Sequence, residues 1–320
     1  MRESHDWEHF RVELTGYCYR MLGSPFDAED AVQDTMLRAW RSRDSYDPAQ
    51  SSTRTWLYAI ATHRCLDILK ASKRRRETAM DFGPPFAAGP EIGTPLPDSS
   101  WVLPVPDAGA LPEASDPAET LLLRESIRLA FVAALQALSP RQRAVLILRD
   151  VVGYSAKETA AILGASTGSV TSTLQRARAT MARRPAALTP LDQDTSDLVD
   201  RYCEAYEADD IEALVTMLHE DATISMPPYP WWLRGRTDIT TALRAAGSHC
   251  AGSRVVAVKA NGSSAVAQWR PSAEGRLTPF ALTAIDWVDG RVVAMTTFLT
   301  APDRLFAVFG LTDEFVPGVS

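Results

Sequence analysis

The sequence predicts a multidomain chain: two all-α segments joined by a flexible linker, then a C-terminal α+β domain. Three observations carry that prediction. Residues 4–76 and 119–184 repeat apolar side chains at spacings of three and four, as helices with one buried face do. Residues 78–118 hold no Lys or Arg, are rich in Pro and Gly, and show no period. Residues 192–316 open with helical runs and close with strand-like runs, parted by Asn261-Gly262 and Asp289-Gly290, both strong hairpin turns.

In the first segment, Trp7, Phe10, Leu14, Tyr17 or Cys18, and Met21 give residues 4–22 an apolar stripe. Gly23-Ser24-Pro25 breaks it. Pro25 suits a first helical turn, and Asp27, Glu29 and Asp30 sit where a helix N-terminus favours anions. Val32, Met36, Ala39 and Trp40 are the packing residues of that second helix; Asp30, Gln33, Asp34 and Arg38 read as a solvated face. After a loop over 41–52, a third helix runs over about 53–76 and packs through Leu57, Ile60, Ala61, Cys65 and Ile68. Around that stripe stand Arg54, Trp56, Tyr58, His63, Arg64, Lys70 and the run Lys73–Arg76. Aromatics interleaved with cations suit single-stranded nucleic acid: rings stack on unpaired bases and cations hold the backbone. Trp56 fits a core position equally well.

The second segment resumes helical pattern over 119–137 and again in LSPRQRAVLILRDVVG, where Ser139 caps and Pro140 takes the first position. Residues 154–181 then read as two short helices and a tight turn. Ser155 and Glu158 have capping-box spacing, Gly164 supplies the left-handed turn, and Ser166 or Thr167 caps the second helix. Val170, Leu174 and Ala177 face inward, leaving Ser169, Thr171, Ser172, Gln175, Arg176 and Arg178 outside. That outer face suits a recognition helix, short and polar where base edges are read and basic where phosphates are held. An ordinary amphipathic hairpin has the same pattern.

The net charge of −7 is unevenly spread. Residues 54–77 carry +5 and residues 121–190 carry +7, against −7 over 78–120 and −8 over 191–320. Two basic islands in an acidic chain are candidate footprints on nucleic acid. No apolar run is long enough to span a membrane, and MRESHDWEHF has no signal-peptide core. Cys18, Cys65, Cys203 and Cys250 are scattered without a CxxC and read as reduced thiols of a cytoplasmic protein. With no HExxH or His-x-His, neither a metal nor a cofactor is expected.

The order of DAEDAVQDT, a Trp-Leu-x-x-Ile-Ala helix, a linker and LSPRQRAVLILRDVVGYSAKETAAILG resembles bacterial sigma factors of the small extracytoplasmic-function group. The resemblance implies a sigma-2 domain over 5–77, a linker over 78–118, and a sigma-4 domain over 119–185. It implies core RNA polymerase and promoter DNA as partners. Asp30, Gln33, Asp34 and Arg38 would dock on the clamp helices of the largest polymerase subunit; the sigma-4 domain would meet the flap and the −35 element. The −10 element would be melted and read by the helix 54–70. Thr53 stands where the family has an aromatic and His63 where it has Asn, so the family's −10 base preference does not transfer. An anti-sigma partner is left open.

DDIEALVTMLHEDATISMPP, WLRGRTDI and DWVDGRVVAM resemble the SnoaL-like, NTF2-like cone over 192–316, which some sigma factors carry as a fused extension. Met226, Tyr229, Trp231, Trp232, Arg234 and Trp269 are candidates for a pocket or an interdomain contact. His219, Asp221 and Asp286 are the acid and imidazole groups that a cyclase or isomerase of that fold would use. The expectation is a sigma factor without enzymatic activity, regulated in cis by its acidic C-terminal domain through the paired tryptophans. The rivals are a helix-turn-helix regulator with a small-ligand-sensing domain, and an enzyme residing in the cone.

Overall fold

The computed structural model describes residues 7–71, 76–89, 92–113, 116–183, 192, 194–246 and 251–315. The chain divides into two compact units: Met1–Arg76 with Asp107–Thr189, and Glu77–Pro106 with Pro190–Ser320.

The first unit is all helix. It comprises α1 (Arg11–Leu22), α2 (Pro25–Ser42), α3 (Thr53–Ala71), the short α4 (Asp107–Ala110), α5 (Pro117–Ile127), α6 (Leu129–Gln136), α7 (Pro140–Leu146), α8 (Ala156–Leu163) and α9 (Thr167–Met181). The caps are those the sequence spells. Ser24 accepts from Asp27 N, Ser139 and Ser155 head capping boxes with Gln142 and Glu158, and Gly164 closes α8 at φ 57°. Leu14, Tyr17, Cys18, Met21, Leu57, Ala61 and Cys65 are buried, and the Tyr17 and Thr62 hydroxyls share a 2.7 Å hydrogen bond between α1 and α3. A Cβ at Gly16 would lie 2.2 Å from Ala110 O, so only glycine lets α4 seat on α1.

Two buried arginines tie α1 to the later helices. Arg20 donates to Ser126 O and Oγ and to Leu123 O at the C-terminus of α5. In the other direction, Arg143 on α7 donates to Met21 O at the end of α1, and to Leu135 O, Leu138 O and the Gln136 side chain. Helix C-termini offer unpaired carbonyls and the negative end of the dipole, which is why a buried guanidinium can sit there. Burial lowers the Arg20 pKa to about 10, leaving it charged at neutral pH.

The second unit is α+β. It contains α10 (Ser196–Glu207), α11 (Ile211–Met217), β1 (Leu218–Ser225), β2 (Trp232–Arg234), α12 (Arg236–Ala246), β3 (Arg254–Ala260), β4 (Ser263–Pro271), β5 (Leu277–Val288), β6 (Arg291–Phe298) and α13 (Pro302–Val308). The six-stranded sheet runs β2-β1-β6-β5-β4-β3; β1 and β6 are parallel and the other neighbours antiparallel. Both hairpins turn where expected, with Asn261 at φ 55° and Asp289 at φ 51°, each followed by a positive-φ glycine. Helices α10–α12 cover one face around Val199, Trp231, Leu233, Ile239, Ile285 and Trp287.

Several expectations are corrected. The linker over 78–118 is not a free tether. Residues 77–106 form a strap belonging to the second unit, and α5 begins at Pro117. Glu77 bridges Trp101, and Val102 N donates to Glu77 O, closing the strap into a loop. Its apolar residues fix it. Trp101, Val102, Leu103 and Val105 are buried, Phe86 and Ile92 pack against the core of the sheet, and Val105 exchanges hydrogen bonds with Asn261. The single helix expected over 119–137 breaks at Arg128, whose ψ of 142° is extended. The helix over LSPRQRAVLILRDVVG ends in a π-helical turn, Ile147–Val151. Trp40 does not pack: it is 58% exposed. Strand β2 and helix α13 are additions, and the sheet is not wholly antiparallel because β1 returns beside β6.

Candidate nucleic-acid interface

On α9, Ser166 Oγ accepts from Ser169 N at 3.2 Å, which fixes the start of the helix. Val170, Thr173, Leu174, Ala177 and Met181 are its buried seam. Ser169, Thr171, Gln175, Arg176 and Arg178 are exposed, and Ser172 is half-buried with its hydroxyl on Ser169 O. The two arginines differ. Arg178 is gripped by Asp150 of the π turn, Nε to Oδ2 at 2.9 Å and Nη2 to Oδ1 at 2.6 Å. Arg176 donates to Thr173 Oγ1 and has no carboxylate partner among the described residues. Nothing in the pattern of α9 points to Asp150, which lies 28 residues away.

The cations and rings of α3 are more engaged than the sequence suggests. Trp56 is half-buried, stacked on Tyr46 at 4.7 Å and edge-on to Trp7 at 5.5 Å. Tyr58 is core, 2% exposed, so in this arrangement it offers no face to a base. Its ring meets Tyr17 at 5.1 Å and Tyr154 at 5.4 Å. Burial pushes its hydroxyl well above the ordinary tyrosine range. Arg54 pairs with Glu13 at 2.9 Å and lies 5.0 and 5.2 Å from the rings of Tyr58 and Tyr154. His63 and Lys70 are exposed. Arg64 reaches Asp34, Nε to Oδ2 2.7 Å. Of the run Lys73–Arg76 only Arg76 lies within the described residues, and it pairs with Asp27 at 2.6 Å.

On α2, Asp30, Gln33 and Arg38 are exposed and Asp34 is half-buried through its contact with Arg64. Beside them stand exposed Leu37 and Trp40, with the Arg43 guanidinium 4.6 Å above the indole. Leu37 and Trp40 are one helical turn and two beyond Gln33, so this face is apolar as well as charged.

Comparison with known proteins decides what these helices are. The Sigma-70 region 2 model matches residues 7–75, the Sigma-70 region 4 model residues 128–181, and the SnoaL-like domain model residues 199–295. The ECF RNA polymerase sigma factor SigG of Mycobacterium tuberculosis is 42% identical over 314 residues, 96% of this chain and 83% of SigG. The chain belongs to the ECF RNA polymerase sigma factors. SigJ of the same organism is 31% identical over 70% of this chain and 64% of its own length. The crystal structure of the M. tuberculosis sigma factor SigJ shares the fold, with TM-score 0.63 at 23% identity over 96% of this chain and 99% of that one.

In the sigma factor, regions 2 and 4 thus build the helical unit, and the SnoaL-like match falls in the unit that holds the strap. The residues proposed for a cone pocket do not converge. Met226, Tyr229 and Trp231 belong to the core under α10–α12, whereas Trp269 joins Phe306 and Phe315 in a separate cluster. The cause is strand parity: Val266 faces one layer and Ala267 the other, so Trp269 follows Ala267. Arg234 is exposed. The paired tryptophans serve their own unit: Trp231 is core, and Trp232 donates its indole N–H to Gly83 O and accepts Phe86 N on its carbonyl. His219 and Asp221 are exposed on β1, and Asp286 is on β5 with β6 between them. The SnoaL-like family includes enzymes; here Asp221 N donates to His219 Nδ1 on β1, and β6 lies between that strand and the one carrying Asp286.

Proposed function

We propose that this sigma factor docks on core RNA polymerase through α2, placing Asp30, Gln33, Asp34 and Arg38 on the clamp helices of the largest subunit. Its region 4 meets the flap. Helix α9 reads the −35 element with Ser169, Thr171, Ser172 and Gln175 on bases and Arg176 and Arg178 on phosphates. Helix α3 opens and reads the −10 element with Arg54, Trp56, His63, Arg64 and Lys70, joined by Tyr58 once uncovered. The protein works in the cytoplasm, and the chemistry belongs to the polymerase.

The observation that carries this reading is the polar face of α9, exposed above a buried seam and sharing a unit with the aromatic and basic α3. The same unit argues that the form described is a resting one. Helix α3 packs against α8, which packs against α9. On promoter DNA the two elements they read are 25 base pairs apart, roughly 85 Å at about 3.4 Å per pair. Regions 2 and 4 must therefore separate.

The strap sets how far they can. Docked, with Glu77 paired to Trp101, it brings its ends to within about 20 Å, since only five residues lead on to Pro106. Undocked, its 30 residues reach on the order of 100 Å. The C-terminal domain thus regulates initiation in cis by holding or releasing the strap. Run-off transcription with core polymerase tests the reading, using full-length protein, Arg176→Ala and Phe86→Ala/Trp232→Ala. Arg176→Ala should lose transcription, and loosening the strap should change its yield. Unchanged transcription from both variants would refute it.

A further inference from the structure

Arg64 stands on the face proposed to read single-stranded −10 DNA, and Asp34 on the face proposed to dock polymerase. The two faces share this contact, Nε to Oδ2 at 2.7 Å between α3 and α2. Both side chains are partly open to solvent, Arg64 at 28% and Asp34 at 41%. The contact is close but poorly aimed: the buried Arg64 Nε–H has no aligned acceptor among the described residues, Asp34 included. A buried N–H without an aligned partner forgoes much of the worth of a charge-assisted hydrogen bond.

We propose that the Asp34–Arg64 pair couples polymerase docking to promoter melting, making Asp34 a positioning residue for Arg64. This rests on the assignments of α2 and α3 made above. In the free sigma factor the carboxylate holds the guanidinium against α2 and neutralises it. A basic side chain of the polymerase, arriving at Asp34, takes the carboxylate and adds a positive charge beside Arg64. The guanidinium is then repelled and released, and a DNA phosphate offers the aligned, charged acceptor that Asp34 does not. Coupling of this kind is reciprocal, so −10 DNA also tightens polymerase binding by the same factor. The arrangement keeps the free protein from being held on single-stranded DNA.

The probe is a fluorescent single-stranded oligonucleotide carrying the non-template −10 sequence. It is titrated at low ionic strength into full-length protein, and separately into holoenzyme formed at saturating core polymerase. Asp34→Asn is expected to tighten oligonucleotide binding by the free protein about fivefold to tenfold. Its salt dependence should steepen by about 0.7, one single-strand phosphate contact. The gain should vanish in the Arg64→Ala background and in holoenzyme, where Asp34 is already engaged. Asp34→Asn with unchanged affinity, or with the same gain in the Arg64→Ala background, overturns the coupling while leaving both assignments standing. If Arg64→Ala leaves oligonucleotide binding by holoenzyme untouched, the assignment of α3 fails as well. If Asp34→Asn leaves core affinity untouched, that of α2 fails. Circular dichroism of each variant checks the fold.

Discussion

The ring of Tyr154, at the entrance to the helix-turn-helix, stands edge-on to Tyr58 of α3 with centroids 5.4 Å apart. Arg54 adds its guanidinium to both rings, 5.0 and 5.2 Å away, and Glu13 holds it there. Region 4 thereby covers part of the surface proposed to meet the −10 element. Edge-to-face pairs contribute about 0.5–1.5 kcal/mol beyond area, enough to bias such an equilibrium and weak enough to break on binding. Tyr154→Ala should therefore raise the affinity of the free protein for a −10 oligonucleotide by about twofold to tenfold. It should also expand the particle in small-angle scattering. Unchanged size and affinity would mean that Tyr154 does not hold the closed form.

The arginine exchange should be costlier to lose. Arg143→Met strands Met21 O, Leu135 O and the Gln136 side chain without their donor. Each stranded group costs about 1–3 kcal/mol. Thermal unfolding of the helical unit should fall by several degrees, roughly 2–4 °C per kcal/mol. Arg38→Met on the exposed face of α2 should shift it by no more than about 1–2 °C. Equal shifts would contradict the role given to Arg143.

The two arginines of α9 should not be equivalent. Each phosphate contact on duplex DNA contributes about 0.9 to the slope of log affinity against log salt. Arg176→Ala should remove about one such contact, whereas Arg178→Ala should remove less, because Asp150 already neutralises that guanidinium. Asp150→Asn should strengthen binding and steepen the slope. Titration of a −35 duplex at several salt concentrations reads all three.

The strap predicts a protease pattern. Trp101 is fully buried and truncation of a buried Trp costs about 3–5 kcal/mol. In the wild type, residues 78–100 should resist limited proteolysis despite their composition; in Trp101→Ala they should be cut first. Early cleavage there in the wild type would refute the docked strap.

The helices, caps and hairpins were legible because each is written locally. Ser155 with Glu158, Gly164, and Asn261-Gly262 act within a few residues of themselves. The strap was not. Its Pro and Gly content reads as disorder, and the apolar group Trp101, Val102, Leu103 and Val105 gains meaning only beside a later sheet, whose Asn261 meets Val105 across 156 residues of sequence. The same holds for the site. The outer face of α9 follows from period alone, whereas the partners Glu13, Asp34, Tyr154 and Asp150 are set by tertiary packing. Trp40 misled because period marks a helix face as apolar without saying whether anything covers it.

Regions 2 and 4 are proposed to be closed on each other in the free protein and to part on the promoter. Fluorescence energy transfer between probes at Asp67→Cys on α3 and Ala179→Cys on α9, both exposed, measures it directly. The free protein should show a separation of about 20–30 Å, two or three helix spacings, and strong transfer. In holoenzyme on promoter DNA the separation should near roughly 85 Å, with transfer largely lost. Weak transfer already in the free protein, or the same strong transfer in both states, would contradict it.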